Sequence, residues 1–119
     1  MRLPRERRLR LQGDFNRLRG SGVRLECGSF FLNTGPAPAA AGPSRLGIVA
    51  AKAQLPLAVD RNRAKRLVRE AFRACPGLFP DGWDVVVVVR KSLIRQPLPR
   101  LVAALRDGAA KAKAALGHG

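Results

Sequence analysis

The stretch from Asp60 to Arg73 (Asp-Arg-Asn-Arg-Ala-Lys-Arg-Leu-Val-Arg-Glu-Ala-Phe-Arg) constrains this chain more than any other. Placed on a helix at 100° per residue, it divides into two faces. Ala64, Leu67, Val68, Ala71, Phe72 and Cys75 recur at helical spacing and form one apolar stripe. Asn62, Arg66, Arg69 and Arg73 point the other way, flanked by Arg63 and Lys65. Beyond Asp60, which the pattern places at the N-cap, Glu70 is the only acid on this helix. Like charges three or four residues apart repel on a helix, so a face that needed only solvation would mix Glu with Lys. The counter-charge must come from outside, and a polyanion supplies it.

The rest of the composition agrees. The chain has 119 residues, enough for one domain with a real core, and a formal charge of +15. Eighteen of the 23 cations are Arg, whose planar fork grips phosphate in two places and stacks on bases. A GC-rich genome also turns Lys codons into Arg, but that bias leaves the net charge unexplained. No apolar run of ~18 residues is present, so no membrane span is expected, and the first residues lack the apolar core of a signal peptide. Cys27 and Cys75 match no metal or redox spacing, and Cys75 reads as a small buried hydrophobe. A cytoplasmic protein is expected.

Residues 1–11 read as a basic arm, and Gln12 to Arg19 as a short helix closed by Gly20-Ser21-Gly22. Ser29 to Thr34 is a strand, Gly35 to Ser44 a flexible Pro/Ala/Gly loop, and Arg45 to Lys52 a second strand. Five consecutive valines within Asp84 to Arg90 suit an interior strand covered on both faces. An amphipathic helix spans about Pro97 to Leu116, with Gly108 its weak point. The order α-β-β-α-β-α predicts a small α+β sandwich, one RNA-binding domain over residues 1–119.

Catalytic groups are scarce. His118, the only histidine, is next to the last residue, so no His-based acid/base or nucleophile pairing is in prospect. Asp81 and Asp84 flank a turn, where Asp is common, and no phosphate-cradling Gly loop is present. Any reaction is expected to belong to something this protein binds. Exposed aromatics among cations would hold single-stranded RNA by stacking. Phe30 and Phe31 are adjacent on a strand and so face opposite ways, and Phe15 stands near Arg17 and Arg19.

The segments Arg45 to Lys52 and Ala58 to Arg73, with their Arg-Asn-Arg core followed by Lys-Arg and Arg-Glu-x-Phe, closely resemble the protein component of bacterial ribonuclease P. The likeness extends to Asp14-Phe15 and to the valine strand ending in Arg90-Lys91. It implies a ribosomal-protein-like fold with a left-handed β-α-β crossover around the signature helix. It also implies binding to a catalytic RNA that removes the 5′ leader of precursor tRNA, with the Mg²⁺ ions held mainly by that RNA. Arg61, Asn62, Arg63, Lys65, Arg66, Arg69 and Arg73 would face the catalytic RNA. Phe15, Arg19, Lys52, Arg90 and Lys91 would line a leader cleft. Two positions depart from the family pattern. Arg19 stands where many members carry a second cleft aromatic, and Lys52-Ala53 replaces a Lys-Lys pair. Composition alone leaves open a ribosomal or other structured-RNA protein. A DNA-binding module is disfavoured, because Pro56 and an extended segment precede the basic helix where a helix-turn-helix partner would stand.

Overall fold

A computed structural model describes residues 22–37 and 42–117. The arm, the Gln12–Arg19 helix and the tip of the 35–44 loop therefore lie largely outside the described residues. Within them the chain forms β1 (Val23–Glu26), β2 (Phe30–Pro36), β3 (Arg45–Val49), α1 (Ala58–Arg73), β4 (Trp83–Val89), a 3₁₀ segment (Lys91–Arg95) and α2 (Leu98–Ala115). The order across the sheet is β1-β2-β4-β3, with β3 and β4 parallel and the other pairs antiparallel. This is the expected α+β architecture, with β1 as an additional edge strand.

The valine strand is interior as its sequence required: Val85, Val86, Val87 and Val89 are all buried. Alternation along the paired strands sends Phe30, Leu32, Val85, Val87, Val89 and Leu46 to one face. There they form the core with Ala64, Val68, Ala71 and Phe72 of α1 and Leu101, Leu105, Ala109 and Ala112 of α2. The apolar stripe read from the sequence is thus the buried face of α1, and Cys75 is buried just beyond it.

β1 is short, but Val-Arg-Leu-Glu alternates, with Val23 and Leu25 packed against the core and Arg24 and Glu26 exposed. A two-residue turn, Gly28-Ser29, joins it to β2. Gly28 takes φ +84°, a left-handed conformation that glycine adopts freely, and the turn is closed by the Cys27 N–H donating to Phe30 O at 2.9 Å.

Two local expectations are corrected. α1 starts earlier than expected: Leu57 is the N-cap without a side-chain hydrogen bond, and Asp60 sits in the first turn. There its carboxylate still complements the helix dipole. Gly108 is more than a weak point of α2. A Cβ there would lie 2.9 Å from Leu32 Cδ2 and 3.1 Å from Cys27 Sγ, so the missing side chain lets α2 approach the sheet. Asp84, beside the turn that opens β4, is fully buried and engaged bidentately by Arg45, Nε–Oδ1 2.8 Å and Nη2–Oδ2 2.9 Å.

Candidate nucleic-acid interface

Two sets of cations occupy different sides of the sheet. The first is the outer face of α1. Burying Ala64, Val68, Ala71 and Phe72 leaves Asn62, Arg63 and Arg66 exposed to solvent, with Lys65, Arg69 and Arg73 half-buried beside them. Arg61, also half-buried, holds the start of the helix as well. Its Nη1 donates to Leu55 O (2.9 Å) and Pro56 O (2.8 Å), satisfying carbonyls of the segment that leads into the helix. At the other end Arg73 Nε is buried with no hydrogen-bond partner.

The second set lies on the sheet face turned away from the helices. Directly paired positions place Glu26, Phe31, Val88 and Val49 in one row across that face. Phe31 is half-buried, and two guanidinium groups stand over its ring: Arg24 Cζ at 4.5 Å and Arg90 Cζ at 5.3 Å from the centroid. Both lie within cation–π range, and each attraction contributes about 0.5–1 kcal/mol at an exposed site. Arg90 is held from two further directions. Its Nη1 lies 3.4 Å from Glu26 Oε2 and 3.3 Å from Gly28 O, while its backbone N–H donates to Ser29 O at 3.0 Å. A guanidinium fixed in this way above an aromatic ring offers donors and a π surface side by side.

Lys91 follows Arg90 and opens the 3₁₀ segment; Lys52 lies in the exposed turn after β3. Because β3 and β4 are parallel and adjacent, both strands end on the same side of the sheet. Gln54 joins the two exits, its Oε1 accepting the Lys91 N–H at 3.0 Å. Lys52, Arg90 and Lys91, far apart in sequence, are thus carried by neighbouring segments. Phe15 and Arg19 lie outside the described residues.

Phe31 is the outward member of the Phe30-Phe31 pair that the sequence had singled out, whereas Arg24, Glu26 and Gln54 are residues of this face that sequence reasoning missed. The alternation of Val23 to Glu26 was the available signal for the first two. Nothing in the sequence marks Gln54, whose partner is 37 residues away. Among the described residues no group of three His, Cys, Asp or Glu could hold a metal ion. No helix among them is long and apolar enough to cross a membrane.

These features define a small, strongly basic α+β domain with a cationic helix face and a separate aromatic–arginine face. The sequence model of the family Ribonuclease P matches residues 3–113, and the chain belongs to that family. It is 43% identical over 88 residues to the ribonuclease P protein component of Herpetosiphon aurantiacus, covering 74% of this chain and 69% of that protein. With the counterpart from Pseudomonas fluorescens it shares 48% identity over 61 residues, 49% of this chain and 43% of the relative. Among solved structures it resembles the RNase P protein of Thermotoga maritima, with TM-score 0.73 and 33% identity, over 87% of this chain and 96% of the other. A mutant RNase P protein from Staphylococcus aureus superimposes with TM-score 0.76 at 25% identity, over 90% and 88% of the two chains.

Proposed function

We propose that this chain is the protein subunit of a ribonuclease P ribonucleoprotein, an endoribonuclease that removes the 5′ leader of precursor tRNA in the cytoplasm. The observation that carries the reading is the pair of cationic surfaces on opposite sides of one sheet. A protein that only coats one RNA needs one such surface; one that holds two RNAs against each other needs two. Arg61, Arg63, Lys65, Arg66, Arg69 and Arg73, with Asn62, take the catalytic RNA, and Arg61 also supports the entry to that helix. Lys52, Arg90, Lys91 and Phe31 take the single-stranded leader, together with Phe15 and Arg19 from the N-terminal region.

In this assignment the RNA carries the chemistry and holds most of the Mg²⁺. The protein brings positive charge to closely packed phosphates, which raises leader affinity and lowers the Mg²⁺ concentration needed to hold the two RNAs together. Each phosphate neutralised releases condensed counterions, so binding weakens steeply with salt. No step runs through a metal ion held by this chain.

The test is cleavage of a leader-bearing precursor tRNA at low Mg²⁺ by a bacterial ribonuclease P RNA, alone and with this protein. Strong stimulation with correct 5′ ends is expected. No stimulation, combined with tight salt-sensitive binding to unrelated structured RNAs, would refute the subunit assignment and leave a general RNA-binding protein.

A further inference from the structure

The turn after β3 is anchored in the core at one end, and a side-chain hydrogen bond ties its middle to the exit of β4. Gln54 N–H donates to Ala51 O (3.1 Å), Leu55 N–H donates to the same carbonyl (3.0 Å), and the buried Leu55 fixes the end of the turn in the core. Arg61 then clasps the Leu55 and Pro56 carbonyls. Between these anchors Lys52 and Ala53 are exposed, and Gln54 reaches across to the exit of β4. The group it meets there has a particular need. Lys91 N–H is the first amide of the 3₁₀ segment, and such amides have no partner within their own helix. The N-cap residue, Arg90, cannot accept that proton, because a guanidinium has donors only; its own are directed to Glu26 and Gly28 O, over the Phe31 ring. Gln54 Oε1 fills the vacancy from another segment.

We propose that Gln54 is a positioning residue for the leader: by accepting the Lys91 N–H it locks the Lys52 turn to the Arg90–Lys91 exit, so that three cations act as one receptor for a single-stranded polyanion. This rests on the leader-binding role of Lys52, Arg90 and Lys91 given above. A flexible turn would let Lys52 reach the same phosphates only after its motion was frozen on binding; the cross-segment hydrogen bond removes that cost beforehand. The residue itself is neutral and need not touch RNA.

Neutrality provides the decisive readout. Gln54→Met keeps the length of the side chain and removes the acceptor. Reconstituted holoenzyme carrying this substitution is expected to bind leader-bearing precursor about threefold more weakly. The slope of log K against log salt should fall by roughly 0.7, as if one single-strand phosphate contact had been lost. Affinity for leaderless tRNA and for the catalytic RNA should stay unchanged. A neutral side chain that acted only on stability would leave the salt slope as it was. Lys52→Met and the double variant complete a cycle. If Gln54 works through Lys52, adding Gln54→Met to Lys52→Met brings no further loss. Full additivity, or an unchanged salt slope in Gln54→Met, overturns the positioning role while sparing the leader assignment. A Lys52→Met holoenzyme indistinguishable from wild type overturns the leader role of Lys52 itself, and the proposal with it.

Discussion

Gly108→Ala sets two effects of opposite sign against each other in one substitution. Helix propensity favours Ala over Gly by about 1 kcal/mol in a helix interior, so sequence reasoning expects stabilisation. The structure argues the reverse. The new Cβ would stand 2.9 Å from Leu32 Cδ2 and 3.1 Å from Cys27 Sγ, where carbon atoms ordinarily meet at about 3.5–4.0 Å. Leu32 is fully buried, and its strand is pinned on both sides by Leu25 of β1 and Val87 of β4. The leucine methyl therefore has little room to turn, and the backbone beneath it cannot retreat. Overpacking of this kind costs about 1–3 kcal/mol. After the propensity gain, the expected outcome is a net destabilisation of about 1 kcal/mol. Urea unfolding followed by the fluorescence of Trp83, the only tryptophan and a buried one, measures it directly. Stabilisation by about 0.5 kcal/mol or more would show that α2 can move off the sheet and that the close approach is not required. Cys27→Ala removes one of the two contacts, so Gly108→Ala should be less harmful on that background, with a coupling of about 0.5 kcal/mol or more.

Three other outcomes are expected. Asp84→Asn leaves Arg45 without its carboxylate; Asp84 is 0% exposed but the Arg45 side chain is 29% exposed. The loss should therefore fall below the range for a wholly buried pair, at about 2–3 kcal/mol of unfolding free energy by urea titration. Arg63→Glu combined with Arg66→Glu should leave the circular dichroism and melting curve unchanged, since both side chains are exposed. Affinity for the catalytic RNA should fall by roughly a hundredfold or more, at about 1.5 kcal/mol for each charge-assisted contact; a normal binding curve would remove α1 from the RNA interface. Burial, and then the nearby Asp107 and Glu26 carboxylates against an opposing pull from Lys111, raises the Cys27 thiol above its ordinary value of 9.0. The unfolded thiol thus ionises first: stability is fully present below pH 9 and declines as pH rises through the folded value. Cys27→Ala should flatten that alkaline decline in a pH series of urea midpoints.

The main elements were legible because their periodicities are strong. α1 carries an unbroken apolar stripe, β4 an uninterrupted β-branched run and α2 a long amphipathic pattern, and each appears within a residue or two of where the pattern put it. β1 escaped because four alternating residues between glycine-rich segments carry too little signal to stand apart from a loop. The N-cap of α1 was misplaced for a local reason. Asp60 has the chemistry of a cap, yet the helix begins at Ala58, with Arg61 binding the carbonyls of Leu55 and Pro56 ahead of it.

What the sequence by itself determined was the existence of a cationic helix face, because one helix contains both the apolar stripe and the charges opposite it. Side chains three and four residues apart must share a face whatever the rest of the chain does. The second surface is different in kind. Arg24, Glu26, Phe31, Lys52, Gln54, Arg90 and Lys91 come from two strands, β1 and β2, and from the segments that follow β3 and β4. Only the β1-β2-β4-β3 order, the antiparallel register that sets Phe31 opposite Val88, and the parallel exits of β3 and β4 bring them together. Gly108 shows the same division: propensity reads it as a defect, and the distance between helix and sheet sets an added Cβ against Leu32 and Cys27. Local periodicity is a property of one segment, whereas register and close approach are properties of pairs of segments, and those pairs exist only once the chain has folded.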